Sequence, residues 1–198
     1  MGHAAALKGE PMLETERLLL RRWLVSDAAV QHQLWTERDP RVPAHRRLSA
    51  DGHPTVGEIA ERIRCAEPTA SSGLLAAVRK DDGNVIGYCG LIANTHGQDG
   101  EPELAYELLR SEWGRGFATE AACAVLSWAA SLGYTRVWAS IRDWNAASRR
   151  VASKLGFVET SRVEPDAAHG DRLFFVKELE PAGNYPNSPG AISVNREK

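Results

Sequence analysis

Two stretches of this 198-residue chain carry residue types that could do chemistry at a useful spacing. The first, Glu103 to Ala122, reads E-L-A-Y-E-L-L-R-S-E-W-G-R-G-F-A-T-E-A-A. Leu104, Tyr106 and Leu108 alternate with Glu103, Ala105, Glu107 and Leu109, which is the period of a strand. Gly114 and Gly116 follow, and then Ala118, Ala122, Val125, Leu126 and Ala129 recur at helical spacing on a run free of Gly and Pro. A strand therefore passes into a helix through a glycine-rich corner. Backbone N–H groups at such a corner have no partner within the helix, and the helix dipole favours anions there, so the corner is predicted to cradle a phosphate. The alternative is a tight turn in which the glycines only supply positive φ. The dinucleotide fingerprint G-x-G-x-x-G is approached but not met. Thr119 stands where the third small residue belongs, and the strand before it alternates with charges instead of being apolar throughout. No G-K-[ST] follows, which excludes a P-loop.

The second stretch, Asp143–Phe157, reads D-W-N-A-A-S-R-R-V-A-S-K-L-G-F. Asn145 is placed to cap a helix, Ser148 stands at its third position with the hydroxyl near the helix mouth, and Gly156 stops it. Val151, Ala152 and Leu155 form its core face. Capping alone would account for Asn145 and Ser148.

The elements that must position these stretches are legible around them. Arg17–Trp23 is predicted as a first strand, followed by a helix capped by Ser26 or Asp27 and running to about Trp35. Residues 36–54 are irregular, with Pro40, Pro43 and Pro54, the arginines Arg38, Arg41, Arg46 and Arg47, and His45 and His53. Thr55 caps a second helix through about Cys65, with Val56, Ile59, Ala60 and Ile63 on one face. Leu74–Arg79 and Val85–Leu91 flank K-D-D-G-N as a hairpin, and residues 92–102 form a loop into the central strand. After the central helix come a strand at Val137–Ile141, the short helix of the second stretch, and an antiparallel pair, Phe157–Val163 with Arg172–Glu178. The order β-α-α-β-β-β-α-β-α-β-β predicts an α/β (α+β) fold: a mixed, mostly antiparallel sheet of about seven strands with four helices.

A hydrophobic share of 43% and a charged share of 25% are those of an ordinary globular protein, and a net charge of -2 gives no reason to expect nucleic-acid binding. Cys65, Cys89 and Cys123 are odd in number and widely spaced, which fits neither a disulfide framework nor a zinc site and suits a reducing cytoplasm. No run approaches ~18 consecutive apolar residues, so no membrane partner is expected. The expectation is a flexible N-terminus over 1–13, a single domain over 14–180 and a disordered tail over 181–198, rich in Pro, Asn and Gly.

Taken together, the two stretches resemble one family, the GNAT acyltransferases. W-G-R-G-F-A-T-E-A is similar to their pyrophosphate loop, and N-x-x-S-x-x-x-x-x-K-L-G-F resembles their motif beside the coenzyme A arm. E-L-A-Y-E-L is close to the branch containing ribosomal-protein N-terminal (alanine) acetyltransferases and several antibiotic-modifying enzymes. The resemblance spans about residues 14–179. One departure is Trp113, where the family usually has Gln or Arg; a backbone contact would survive it.

The resemblance implies acetyl transfer from acetyl-CoA to a primary amine (a protein N-terminus, an amino acid or a small molecule) without a metal. The central strand is expected to splay from its neighbour at a bulge, leaving the backbone of Leu108 and Leu109 to the pantetheine arm and thioester. The N–H groups from Trp113 through Gly114, Arg115, Gly116, Phe117, Ala118 and Thr119 would hold the pyrophosphate, and Asn145 an amide of the arm. Glu103 is the candidate base, through a water, the alternative being an ordinary strand-end carboxylate with bulk water taking the proton; Ser148 is the candidate donor to the leaving thiolate, by proton or by hydrogen bond alone. Glu107, four strand residues away, is about 13 Å from Glu103 and cannot form a close carboxylate pair with it. Trp35, Arg38, Arg46, Arg47 and Tyr106 are expected to bind the acceptor, and the arginines suit an acceptor carrying an anionic group. The alternative for those arginines is a solvated loop with internal ion pairs. A catalytically silent module that binds acyl-CoA is the competing function, with a nicotinamide oxidoreductase a distant third. A homodimer is left open.

Overall fold

The computed structural model describes residues 11–66, 73–94, 96–97 and 100–180, so the tail expected over 181–198 lies outside the described residues. The strands are β1 (Pro11–Glu14), β2 (Leu18–Arg21), β3 (Gly73–Arg79), β4 (Val85–Ile92), β5 (Glu103–Leu108), β6 (Arg136–Arg142), β7 (Val158–Glu164) and β8 (Arg172–Glu178). The helices are α1 (Ala28–Glu37), α2 (Val56–Cys65), α3 (Phe117–Ser131) and α4 (Ala146–Lys154). The eight strands among the described residues form one sheet in the order β1-β2-β3-β4-β5-β6-β8-β7. The β5–β6 contact is parallel and the other pairs are antiparallel. The sheet thus has eight strands where the sequence predicts about seven. The addition is β1, a four-residue strand too short for alternation to register, which lies mostly in the stretch expected to be flexible.

Local chemistry accounts for the boundaries. Thr55 closes a capping box with Glu58 at the start of α2, and Asn145 accepts from the Ser148 N–H at the start of α4. In the β3–β4 hairpin the Arg79 N–H donates to the Asn84 carbonyl, and Gly83 supplies φ 72. On β5, Leu104 and Leu108 bury into a core with Phe117, Ala121, Ala122, Val125, Leu126 and Ala129 of α3, and Val137, Ala139 and Ile141 of β6 join them. Glu103 and Glu107 face the opposite side, towards which α1 reaches. One face of the sheet therefore packs on α3, while the other carries the charged groups.

A buried ion pair fixes where α1 begins. Arg21 and Asp27 are each 7% exposed, with Nη1 2.6 Å from Oδ2 and Nη2 3.1 Å from Oδ1. Asp27 also accepts from the Leu24 N–H at 2.8 Å. Removing one partner strands the other charge without water. Asp27→Ala is expected to lower the unfolding free energy by about 3–5 kcal/mol in a urea titration. Replacing both residues by apolar ones of similar size should recover most of that loss; a single variant as stable as the parent would remove the pair from the framework.

Candidate active site

The site starts from the way β5 leaves its neighbour. Against β4 it runs unbroken from Gly87↔Leu108 to Ile92↔Glu103, with no register shift. Against β6 the register holds a single pair, Glu103↔Trp138, backed by the Trp138 N–H donating to the Pro102 carbonyl at 2.9 Å. The splay is therefore present, but the expected bulge is not in the β4–β5 ladder: β6 parts from an uninterrupted β5.

Hydrogen bonds in an antiparallel pair alternate sides. The Leu109 N–H donates to the Ile86 carbonyl at 2.9 Å, so Glu103, Ala105, Glu107 and Leu109 turn their backbone groups to β4. Leu104, Tyr106 and Leu108 turn theirs to the gap. The Leu108 carbonyl is taken by Trp113 Nε1 at 2.8 Å. That leaves the Leu108 N–H and both backbone groups of Tyr106 along the opening, whereas Leu109 is engaged on the far side. An unpaired strand edge of this kind can take an extended chain bearing amides as an added strand.

Across the gap from β5, β6 leads into α4. Tyr106 points to the α3–α4 face, away from the other predicted acceptor residues, and its hydroxyl donates to the Ser148 carbonyl at 3.3 Å. Burial pushes its pKa up to about 12. Asn145 Oδ1 is occupied by the helix cap at 3.1 Å, while the Ser148 hydroxyl makes no hydrogen bond among the described residues.

At the end of β5 the chain turns through Gly114, φ 75, and Gly116, φ 84, and Gly116 caps α3. Both angles lie in the left-handed region that favours glycine. The N–H groups from Gly114 to Thr119 have no acceptor among the described residues, and the first paired one is Glu120, donating to the Gly116 carbonyl at 3.0 Å. The Trp113 N–H is already bonded to the Arg110 carbonyl at 3.2 Å, so the open row begins one residue later than the sequence suggests. Arg115 is tied to Glu112 at 2.6 Å. A string of free donors at a helix N-terminus is suited to a phosphate.

On the charged face, Glu103 Oε1 accepts from the Ser140 hydroxyl at 2.6 Å and the Ser140 N–H at 3.1 Å. Its Oε2 has no partner among the described residues, so one oxygen is anchored and one is open. Glu107 is different. Arg38 grips it through Nε at 2.8 Å and Nη2 at 2.6 Å, and the Tyr88 hydroxyl donates to it at 2.9 Å. Burial works against the Arg38 charge, but the bonded carboxylate outweighs it and raises the pKa. Burial and the Glu107 charge push the Tyr88 phenol well above its ordinary value. Arg38 also stacks on Trp35, 4.4 Å from the ring centre, and its Nη1 donates to the Arg46 carbonyl at 2.6 Å.

The arginines of residues 36–54 thus divide. Arg38 is a clamp between the sheet and the loop. Arg41 pairs with Asp39 at 2.8 Å and lies 4.1 Å over the ring of Trp144, tying the loop to the start of α4. Its hydrogen bonds hold the Asp39 carboxyl down at about 2. The Arg46 and Arg47 side chains have no ion pair among the described residues, and Arg47 Nε is shut off from solvent without a partner. Sequence reasoning missed Ser140, Trp144 and Arg17, whose partners are far away in the chain. No helix among the described residues is long and apolar enough to cross a membrane, and none of their His, Cys, Asp and Glu side chains group as metal ligands.

The sequence and the fold have counterparts among known proteins. A family profile described as the acetyltransferase (GNAT) domain matches residues 17–158. The chain is 31% identical over 149 residues to an uncharacterized N-acetyltransferase, p20, of Bacillus licheniformis, covering 73% of this chain and 81% of that one. A GNAT-family acetyltransferase of Bacillus anthracis superposes with a TM-score of 0.68 at 18% identity, over 84% of this chain and 97% of that one. YncA of Salmonella typhimurium, solved with acetyl-CoA as its cofactor, superposes with a TM-score of 0.60 at 19% identity, over 87% of this chain and 99% of that one.

The Arg38–Glu107 clamp has a measurable weight. Arg38 is 11% and Glu107 23% exposed at the side chain, between surface and core. Glu107→Ala should cost about 2 kcal/mol of unfolding free energy, less than a fully buried pair because water reaches both groups. Chemical denaturation checks it; a loss under about 0.5 kcal/mol would mark an ordinary surface pair.

Proposed function

The chain belongs to the GNAT acetyltransferase family and is an acetyl-CoA-dependent N-acetyltransferase, and on that premise we propose that it acetylates a primary amine with Glu103 as the base. The observation that carries this reading is the open edge of β5, which runs between the anchored Glu103 carboxylate and the row of free N–H groups at 114–119. The residues suit the diphosphate and the arm of the co-substrate. The 114–119 N–H groups hold the diphosphate, and the Leu108 N–H and the Tyr106 backbone pair with the amides of the arm. Asn145 keeps its side-chain N–H group for a further amide, since only its oxygen is used by the cap. Acetyl-CoA supplies an acetyl group activated as a thioester.

Two proton movements remain for the protein. Glu103 Oε2 takes the proton of the acceptor ammonium through a water, while Ser140 keeps the carboxylate aimed into the gap. The amine attacks the thioester carbonyl directly, so no covalent enzyme intermediate is required. The Ser148 hydroxyl, unengaged at the mouth of α4, donates to the departing thiolate. Cys89 takes no part as a nucleophile: it is fully buried, and burial pushes its thiol far above the usual range.

The acceptor approaches from the charged face. It is a peptide, amino acid or small molecule whose amine sits near Glu103 and whose anionic group is read by Arg46 and Arg47, the loop arginines whose side chains make no ion pair among the described residues. Three free cysteines suit a reducing cytoplasm as its place of work.

Glu103→Gln is expected to lower turnover by roughly 10²-fold or more with CoA affinity nearly unchanged, because only proton transfer is lost. Thiol release from acetyl-CoA, followed across pH with a panel of N-terminal peptides, amino acids and aminoglycosides, measures it. A variant matching the parent rate would leave the proton to bulk water. Charge reversal at Arg46 or Arg47 should raise the acceptor's KM and leave that for acetyl-CoA alone, since it removes binding energy from one substrate only. Two unchanged KM values would discard the anionic acceptor.

A further inference from the structure

We infer that Arg17, in the turn between β1 and β2, is a positioning residue of the phosphate cradle: it holds the Arg115 carbonyl and so aims the Gly116 N–H at the diphosphate. The inference rests on the reading that 114–119 bind that group. Arg17 Nη1 donates to the Arg115 carbonyl at 3.1 Å. Carbonyl and N–H of one trans peptide point in opposite directions across a rigid plane. With the carbonyl drawn to Arg17, the Gly116 N–H must point away from it, into the open row. A Cβ on Gly116 would lie 3.4 Å from Arg17 Nη2, so the guanidinium sits directly beside the helix cap.

Arg17 is itself held in place. Its Nε donates to Glu120 Oε2 at 2.7 Å, Nη2 lies 2.6 Å from the same oxygen, and its backbone N–H donates to Oε1 at 2.8 Å. Thr15 adds a hydroxyl to Oε1 at 2.5 Å. The guanidinium lies 4.5 Å over the ring of Phe117, which is buried. Glu120 explains why an arginine is needed. It stands in the first turn of α3, where the helix dipole favours a carboxylate but where an unpaired one would repel a diphosphate. Burial works against the ionised form, yet Thr15 and Arg17 outweigh it and keep the carboxyl below its ordinary range. Arg17 cancels that charge and turns its remaining N–H groups to the loop.

The test compares CoA with a donor that lacks the diphosphate. Calorimetry should show the Kd for CoA rising at least tenfold in Arg17→Met, Arg17→Lys and Glu120→Gln, while the KM for acetyl-pantetheine and the melting cooperativity of the free chain stay near the parent's. Lysine keeps the charge without the fork, so parent affinity in Arg17→Lys would reduce the residue to a counter-charge and overturn the proposal. Tighter CoA binding in Glu120→Gln would also overturn it, by pointing to direct attraction from a freed cation. Equal losses for both donors would mean general disruption and sink it as well. Gly116→Val separates the two readings. If it keeps CoA affinity, the cradle itself is misplaced; if it loses affinity while the Arg17 variants do not, only the role of Arg17 falls.

Discussion

Backbone hydrogen bonding normally leaves no strand edge open inside a sheet, and this molecule is built around an exception. After the single pair Glu103↔Trp138, β5 and β6 separate, although β5 stays fully laddered to β4 and β6 to β8. The unpaired groups of Leu108 and Tyr106 would be costly in a dry core. They are tolerable if the gap takes the amides of an extended ligand, as in the proposed binding of acetyl-CoA. Tyr106 spans it to the Ser148 carbonyl, α4 walls it, and the glycine corner finishes it.

Charge on the two sides of the gap is arranged by pairing more than by composition. Glu103 and Glu107 share a strand face, but they have different fates. Ser140 holds Glu103 through neutral donors and leaves an oxygen available, whereas Arg38 and Tyr88 saturate Glu107. The difference is one of access: both oxygens of Glu107 are held by the Arg38 guanidinium, while Glu103 keeps Oε2 without a partner among the described residues. The Glu107 pair instead carries mechanical load. Through the Arg46 carbonyl it ties the irregular loop to the central strand, and the nearby Glu37 carboxylate accepts from the Arg110 N–H at 2.7 Å. The end of α1 is thus stapled on both sides of the exit from β5.

The loop is stapled at a second point by Arg41 on Trp144, whose own Nε1 donates to the His169 carbonyl at 2.7 Å. Gly170, φ 80, is required there, because a side chain would collide with Trp144 and Asp143. The connections of three separate chain regions therefore meet around the mouth of the gap.

What the sequence determined by itself was local. The strand, the glycine corner and α3 follow from a change of period and from residues that need positive φ, and those signals lie within twenty residues of one another. The caps at Thr55 and Asn145 are equally short-range. So the element order, the glycine corner, the placing of Glu103 on a strand and that of Ser148 at a helix mouth were legible, while four-residue β1 was too short to show a period. Tertiary structure decided which polar groups remain free. Arg38 finds its partner 69 positions away, Glu103 its anchor 37 away, and Arg17 its own 103 away. Strand alternation says which residues share a side, but only the neighbouring elements decide that the Leu109 N–H turns to Ile86 and that the Tyr106 hydroxyl reaches Ser148. A sequence counts charges and donors; folding subtracts those that pair, and that subtraction depends on contacts no local pattern records.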